Sequence, residues 1–201
     1  QMRKSLKHGA YSCHDLVESI HRLIDNGLTS FQLDVSENKE YQDWAEEQVI
    51  GLLHQNTPLS VSDACHFSIP CEVQLHDVES KPFERGAVRN SILSSLHRIG
   101  RESIDNLHLH SFSNDNSYLF DYLDICRDLE SDGLLQSVSC HGISPNTGRR
   151  ALDFGLDFNS VHLSWNLMDP SAYFQHAAAF ADIQKPIIAH DIGTLETTRV
   201  E

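Results

Sequence analysis

Histidine is the side chain that titrates nearest neutrality and is also the commonest metal ligand, and this chain holds 13 of them in 201 residues. Their placement is uneven. His66, His110, His141 and His190 fall near the ends of short apolar runs, with Asp63 and Asp191 beside them. His108 and His110 alternate with Leu107 and Leu109, so on an extended backbone the two imidazoles share a face. A His-x-His pair of this kind has the spacing of metal ligands on a strand. The cysteines offer less. Cys13, Cys65, Cys71, Cys126 and Cys140 are odd in number and scattered, with no Cys-x-x-Cys pair, so neither a disulfide framework nor a zinc knuckle is expected. A reducing, intracellular compartment is the expectation, cytoplasm or an organelle lumen, stroma or matrix, and not secretion.

The elements that must position these residues alternate regularly. Ser12 can cap a helix reaching Asn26, with Leu16, Ile20, Leu23 and Ile24 on one face and Gly27 ending it. Ser30–Asp34 reads as a strand. A helix over Asp43–Gln55 and a strand at Leu59–Asp63 follow. Val88, Ile92, Leu96 and Ile99 mark a helix closed by Gly100, then a strand at Ile104–His110. Tyr118 to Leu129 is the next helix, with its strand at Leu134–Cys140. Ser144 before Pro145 is a cap and a first-turn proline, opening a helix to Phe154. Ser160–Trp165, a helix over Ser171–Ile183 and a strand at Pro186–His190 complete the series. With a first strand near Lys4–Gly9 this makes about seven strands in units of about thirty residues, the pattern of parallel βα repeats. An open doubly wound sheet fits the alternation too, but no strand is followed by Gly-x-Gly-x-x-Gly.

Several segments in order resemble the aldo-keto reductase family. Arg89–His110 (RNSILSSLHRIGRESIDNLHLH) resembles its SL-x-RLG helix running into a strand that ends in histidine. Gly133–Gly142 (GLLQSVSCHG) resembles its GkIRxiGvSN strand, and Val161–Asn166 (VHLSWN) its vQxeYN. Ile188–Gly193 resembles vAYSPLG, and Gly27–Asp34 (GLTSFQLD) resembles GinxfDTA. Tyr41 and Gly51 keep the family's spacing between a tyrosine and the glycine of the next helix, with Glu47 where a glutamate usually stands. The resemblance implies an α/β fold, a parallel (β/α) barrel of TIM type forming one domain over residues 1–201. Such a barrel typically takes ~250 residues, so it is expected to be incomplete at the C-terminus.

The family reduces carbonyls with NADPH through Asp, Tyr, Lys and His, so the resemblance implies Asp34, Tyr41 and His110 as catalytic. Tyr41 fits only with two residues inserted after Asp34. The lysine that would lower the tyrosine's pKa is missing. The third strand, read as Leu59 to Ala64, ends in Asp63 and Ala64, and Lys39 and Lys81 lie in loops. On the cofactor side the resemblance assigns His141, His162, Asn166 and His190. His141-Gly142 replaces Ser-Asn, His162 replaces glutamine, and His190 stands where an aromatic residue stacks on the nicotinamide. The family's phosphate-binding segment lies beyond the seventh strand.

The expectation is a degenerate aldo-keto reductase-like domain, a non-catalytic binding or structural subunit of a larger assembly, without cofactor and resting on other protein subunits. The alternative is an NADPH-dependent reductase of aldehydes or ketones, with NADP(H) as cofactor and a small carbonyl compound as substrate. A metal-dependent barrel hydrolase is a further alternative. Its His-x-His pair belongs on a first strand rather than a fourth, so no metal ligand is assigned. The formal charge of −14 argues against nucleic acid as a partner, and no apolar run approaches the ~20 residues needed to enter a membrane as a helix.

Overall fold

The computed structural model describes residues 13–33, 50–55, 58, 64–73, 83–110, 118–164 and 171–190. They belong to two compact units, Gln1–Pro70 with Gly86–Asn106, and Cys71–Arg85 with Leu107–Glu201.

In the first unit, helix α1 (Cys13–Asp25) buries Val17 and Ile20 on one face. Gly27 ends it as expected. Its φ of 86° lets Leu28 N–H reach back to the Leu23 carbonyl (3.0 Å) while its own N–H meets Ile24 (2.8 Å). Strand β1 (Ser30–Gln32) follows at once and pairs in parallel with β2 (His66–Glu72), Phe31 opposite Phe67 with their rings stacked at 5.5 Å. The strand of this region was read at Leu59–Asp63, residues that lie outside the described ones, whereas the strand described runs over HFSIPCE. Pro70 inside that run supplies no N–H and disguises it. Residues 50–55 are helical and bury Ile50 and Leu53. Gly51 lets this segment approach helix α2 (Arg85–Ile99) closely, since a Cβ there would stand 2.6 Å from the Arg98 carbonyl oxygen.

The second unit is built around strands β3 (Asn106–His110), β4 (Val138–His141), β5 (Ser160–Ser164) and β6 (Ile187–His190). β4, β5 and β6 each lie parallel beside the strand before them in the chain. Helices α3 (Leu119–Ser131), α4 (Pro145–Asp153) and α5 (Ser171–Ala181) make the connections. Residue alternation gives the strands two unlike faces. Leu107, Leu109, Val138, Cys140, Val161 and Leu163 form the apolar face and are buried. α3 contributes Leu119, Tyr122, Leu123, Ile125, Cys126 and Leu129 to the core, at ~1.5–3 kcal/mol for each large side chain withdrawn from water. Ser144 caps α4 as expected, its Oγ accepting from Thr147 N–H at 3.1 Å, with Pro145 in the first turn. The expected strand near Lys4–Gly9 and the cap at Ser12 lie outside the described residues. Among the described residues no helix is long and apolar enough to cross a membrane.

Candidate functional site

The opposite face of β3, β4 and β5 is polar, and it gathers the histidines. His110 ends β3 and is in register with His141, which ends β4; His141 is in register with His162 of β5. One step back along the same face, His108 stands opposite Ser139. Branched apolar residues usually fill this kind of interior face. Here His108, His110, Ser139 and His162 are all buried, and His141 is half-buried.

The rings touch. His108 lies 4.1 Å from His162 and 4.5 Å from His110 between ring centroids, the latter edge-on. His110 and His141 meet edge-on at 4.8 Å, with their Nδ1 atoms 3.2 Å apart. At that separation one nitrogen carries the hydrogen and the other accepts it, so the pair shares a single proton in its neutral state. His108 Nδ1 is hydrogen-bonded to Ser139 Oγ at 2.7 Å. The arrangement can hold or pass a proton between His110 and His141, and it clusters imidazole nitrogens on stiff, paired strands. Within the first unit, Asn106 Nδ2 donates to Ser68 Oγ at 2.5 Å and both are buried.

Of the residues assigned from the sequence, His110, His141 and His162 therefore come together. His190 ends β6, with its backbone in register with Ser164, two residues beyond His162. Asp34, Tyr41 and Asn166 lie outside the described residues. The reading that put Asp63 at the end of the third strand lies outside the described residues; the strand described in this region ends at Cys71 and Glu72, again without a lysine. Ser139 had been passed over. The signal for it was present, since it precedes His141 by two residues and must share its face.

A sequence profile of the Aldo/keto reductase family matches residues 2–192. The chain belongs to that family. No curated protein sequence matches it. Solved structures show the same fold at low identity. Glycerol dehydrogenase from Gluconobacter oxydans is 17% identical with a TM-score of 0.66, covering 86% of this chain and 52% of its own. An aldo-keto reductase from Klebsiella pneumoniae, solved in complex with NADPH, is 15% identical with a TM-score of 0.68, covering 89% and 58%. A putative aldo-keto reductase from Pseudomonas aeruginosa is 19% identical with a TM-score of 0.61, covering 89% and 66%. The chain thus spans between about half and two thirds of the length of these structures. The fold is the parallel α/β barrel type of the family, as the resemblance implied, and the doubly wound alternative falls away.

Proposed function

We propose that this member of the aldo-keto reductase family does not run NADPH-dependent carbonyl reduction, and acts as a binding or structural subunit of a larger assembly. The observation that carries the reading is β2. The family's relay needs a lysine at the end of this strand to make the tyrosine a better proton donor, and β2 reads HFSIPCE. Without a cation at that position nothing in the strand lowers a phenol's pKa. The cofactor side supports the same conclusion. A nicotinamide amide calls for a matched donor and acceptor, whereas His141 meets His110 and His162 lies against His108. These residues do not fit the family's grip on that group. Support for a docking role comes from Phe154, Phe174 and Ile188, large apolar side chains left exposed at 68%, 62% and 43%.

A second reading, a working NADPH-dependent aldehyde or ketone reductase, draws on His110 at the end of β3 and on the fold shared with the NADPH-bound Klebsiella structure. The two separate in one experiment. NADPH oxidation with a panel of aldehydes and ketones is followed for the chain and for Tyr41→Phe, alongside NADPH binding by fluorescence. Equal, background rates are expected. Turnover that collapses in Tyr41→Phe would restore the reductase. Sedimentation of the chain with and without cell extract fractions tests the subunit role, which a monodisperse monomer that recruits nothing would remove.

A further inference from the structure

We infer that His108, His110 and His141 form a binding site for one divalent transition-metal ion of zinc-like softness. Three imidazoles, each offering one nitrogen, place those atoms within 4.8 Å of one another. Four-coordinate zinc binds imidazole nitrogen at ~2.0–2.1 Å, which makes a tetrahedral edge of roughly 3.3 Å. The His110 and His141 Nδ1 atoms already stand 3.2 Å apart, the separation of a tetrahedral edge, so tilting the two rings is enough to converge both lone pairs on one ion. Rotation of the His108 ring closes the third. The backbone does not have to move, because His110 and His141 are register partners on adjacent parallel strands.

The surroundings match what ligating histidines require. His108 is fully buried, and its Nδ1 is hydrogen-bonded to Ser139 Oγ at 2.7 Å, which leaves Nε2 as the nitrogen it can offer a metal. When a metal takes both Nδ1 atoms of the His110–His141 pair, the imidazole that had donated moves its hydrogen to Nε2. All three ligands stay neutral and no proton is lost. His162 packs its ring 4.1 Å from that of His108 and walls the site. Three protein ligands leave a fourth position, and half-exposed His141 puts it on the solvent side, open to water or a small anionic ligand. Imidazole-only ligation favours zinc, copper, nickel or cobalt over magnesium or calcium. The chain's net charge of −14 also favours a cation. The competing explanation is a set of neutral core histidines bonded to one another, and it predicts no saturable metal binding.

The test uses the full chain, stripped of metal by chelation, titrated with Zn2+ in a calorimeter and with Co2+ in a visible spectrometer. One equivalent of each should bind, and Co2+ should give the strong visible bands of a four-coordinate ion without a thiolate charge-transfer band. His141→Gln and His108→Gln should weaken Zn2+ binding by more than ~100-fold, and Ser139→Ala by about 10-fold, the scale for a residue that orients a ligand. His97→Gln, at an exposed position on α2, should change nothing. Circular dichroism checks that each variant folds; should His108→Gln not fold, the His141 and Ser139 variants and the Co2+ spectrum decide. No saturable binding, affinity unchanged in His141→Gln, or a thiolate band would each overturn the site. Metal binding is read independently of NADPH turnover, so this result and the one on reductase activity can fail separately.

Discussion

Replacing Asp105 by alanine should unfold the first unit more readily than any surface change, for reasons that can be counted. Asp105 Oδ2 accepts from the Phe67 backbone N–H at 2.8 Å, fixing the start of β2. It also pairs with Arg101, whose side chain is only 9% exposed. Arg101 further donates to the Cys65 carbonyl at 3.1 Å and lies over the Phe67 ring at 5.3 Å. Asp105→Ala removes the carboxylate and strands two donors: a strand N–H, at ~1–3 kcal/mol, and a poorly hydrated guanidinium. Breaking a buried pair from one side costs ~3–5 kcal/mol. At ~2–4 °C per kcal/mol for a chain of this size, the midpoint should fall by on the order of 10 °C. Asp105→Asn keeps an acceptor for Phe67 N–H and should lose less than half as much. Arg101→Met combined with Asp105→Asn should recover part of the loss, since no unpaired charge remains. Thermal and urea denaturation of the variants measure this. A cost under 1 kcal/mol for Asp105→Ala would show that the pair is solvated and that β2 is held by something else.

Two other substitutions probe different forces. Gly51→Ala should destabilise by roughly 1–2 kcal/mol despite alanine's better helix propensity, because its Cβ would meet the Arg98 carbonyl at 2.6 Å; a stabilised variant in urea melts would refute the close approach. Burial pushes the Cys140 thiol up to about 12 and raises Cys126 as well, so neither should be alkylated in the native chain near neutrality while both react in urea. The linkage has a definite sign. Cys140 holds its proton longer when folded, so its contribution is whole below the unfolded value of ~8.5 and drains as pH rises towards about 12. The urea midpoint should therefore fall with alkaline pH, and fall less steeply in Cys140→Ala.

How much was legible in the sequence differs from element to element. Local signals sufficed for α1, α3 and α4, because their punctuation is chemical: Gly27 at the left-handed end of one helix, Ser144 and Pro145 at the start of another. Repeated βα spacing gave the fold class, and ordered family segments gave the barrel type. Alternation of Leu and His in β3 showed that His108 and His110 share a face, since a period of two is a property of the strand itself.

β2 was not legible. Its Pro70, and the polar Ser68 on the face that meets Asn106, break the apolar alternation that marks a strand, and its place in the sheet comes from pairing with β1. The described strand puts the position of the missing lysine at the Cys71–Glu72 end, where none stands either. The histidine cluster shows the same division. Sequence fixed which residues alternate within each strand. It could not say that His110 would stand opposite His141 and His141 opposite His162, because register between strands depends on how long each connecting helix is and how it packs. The 3.2 Å between two Nδ1 atoms, from residues 31 apart in the chain, exists only once those strands are side by side.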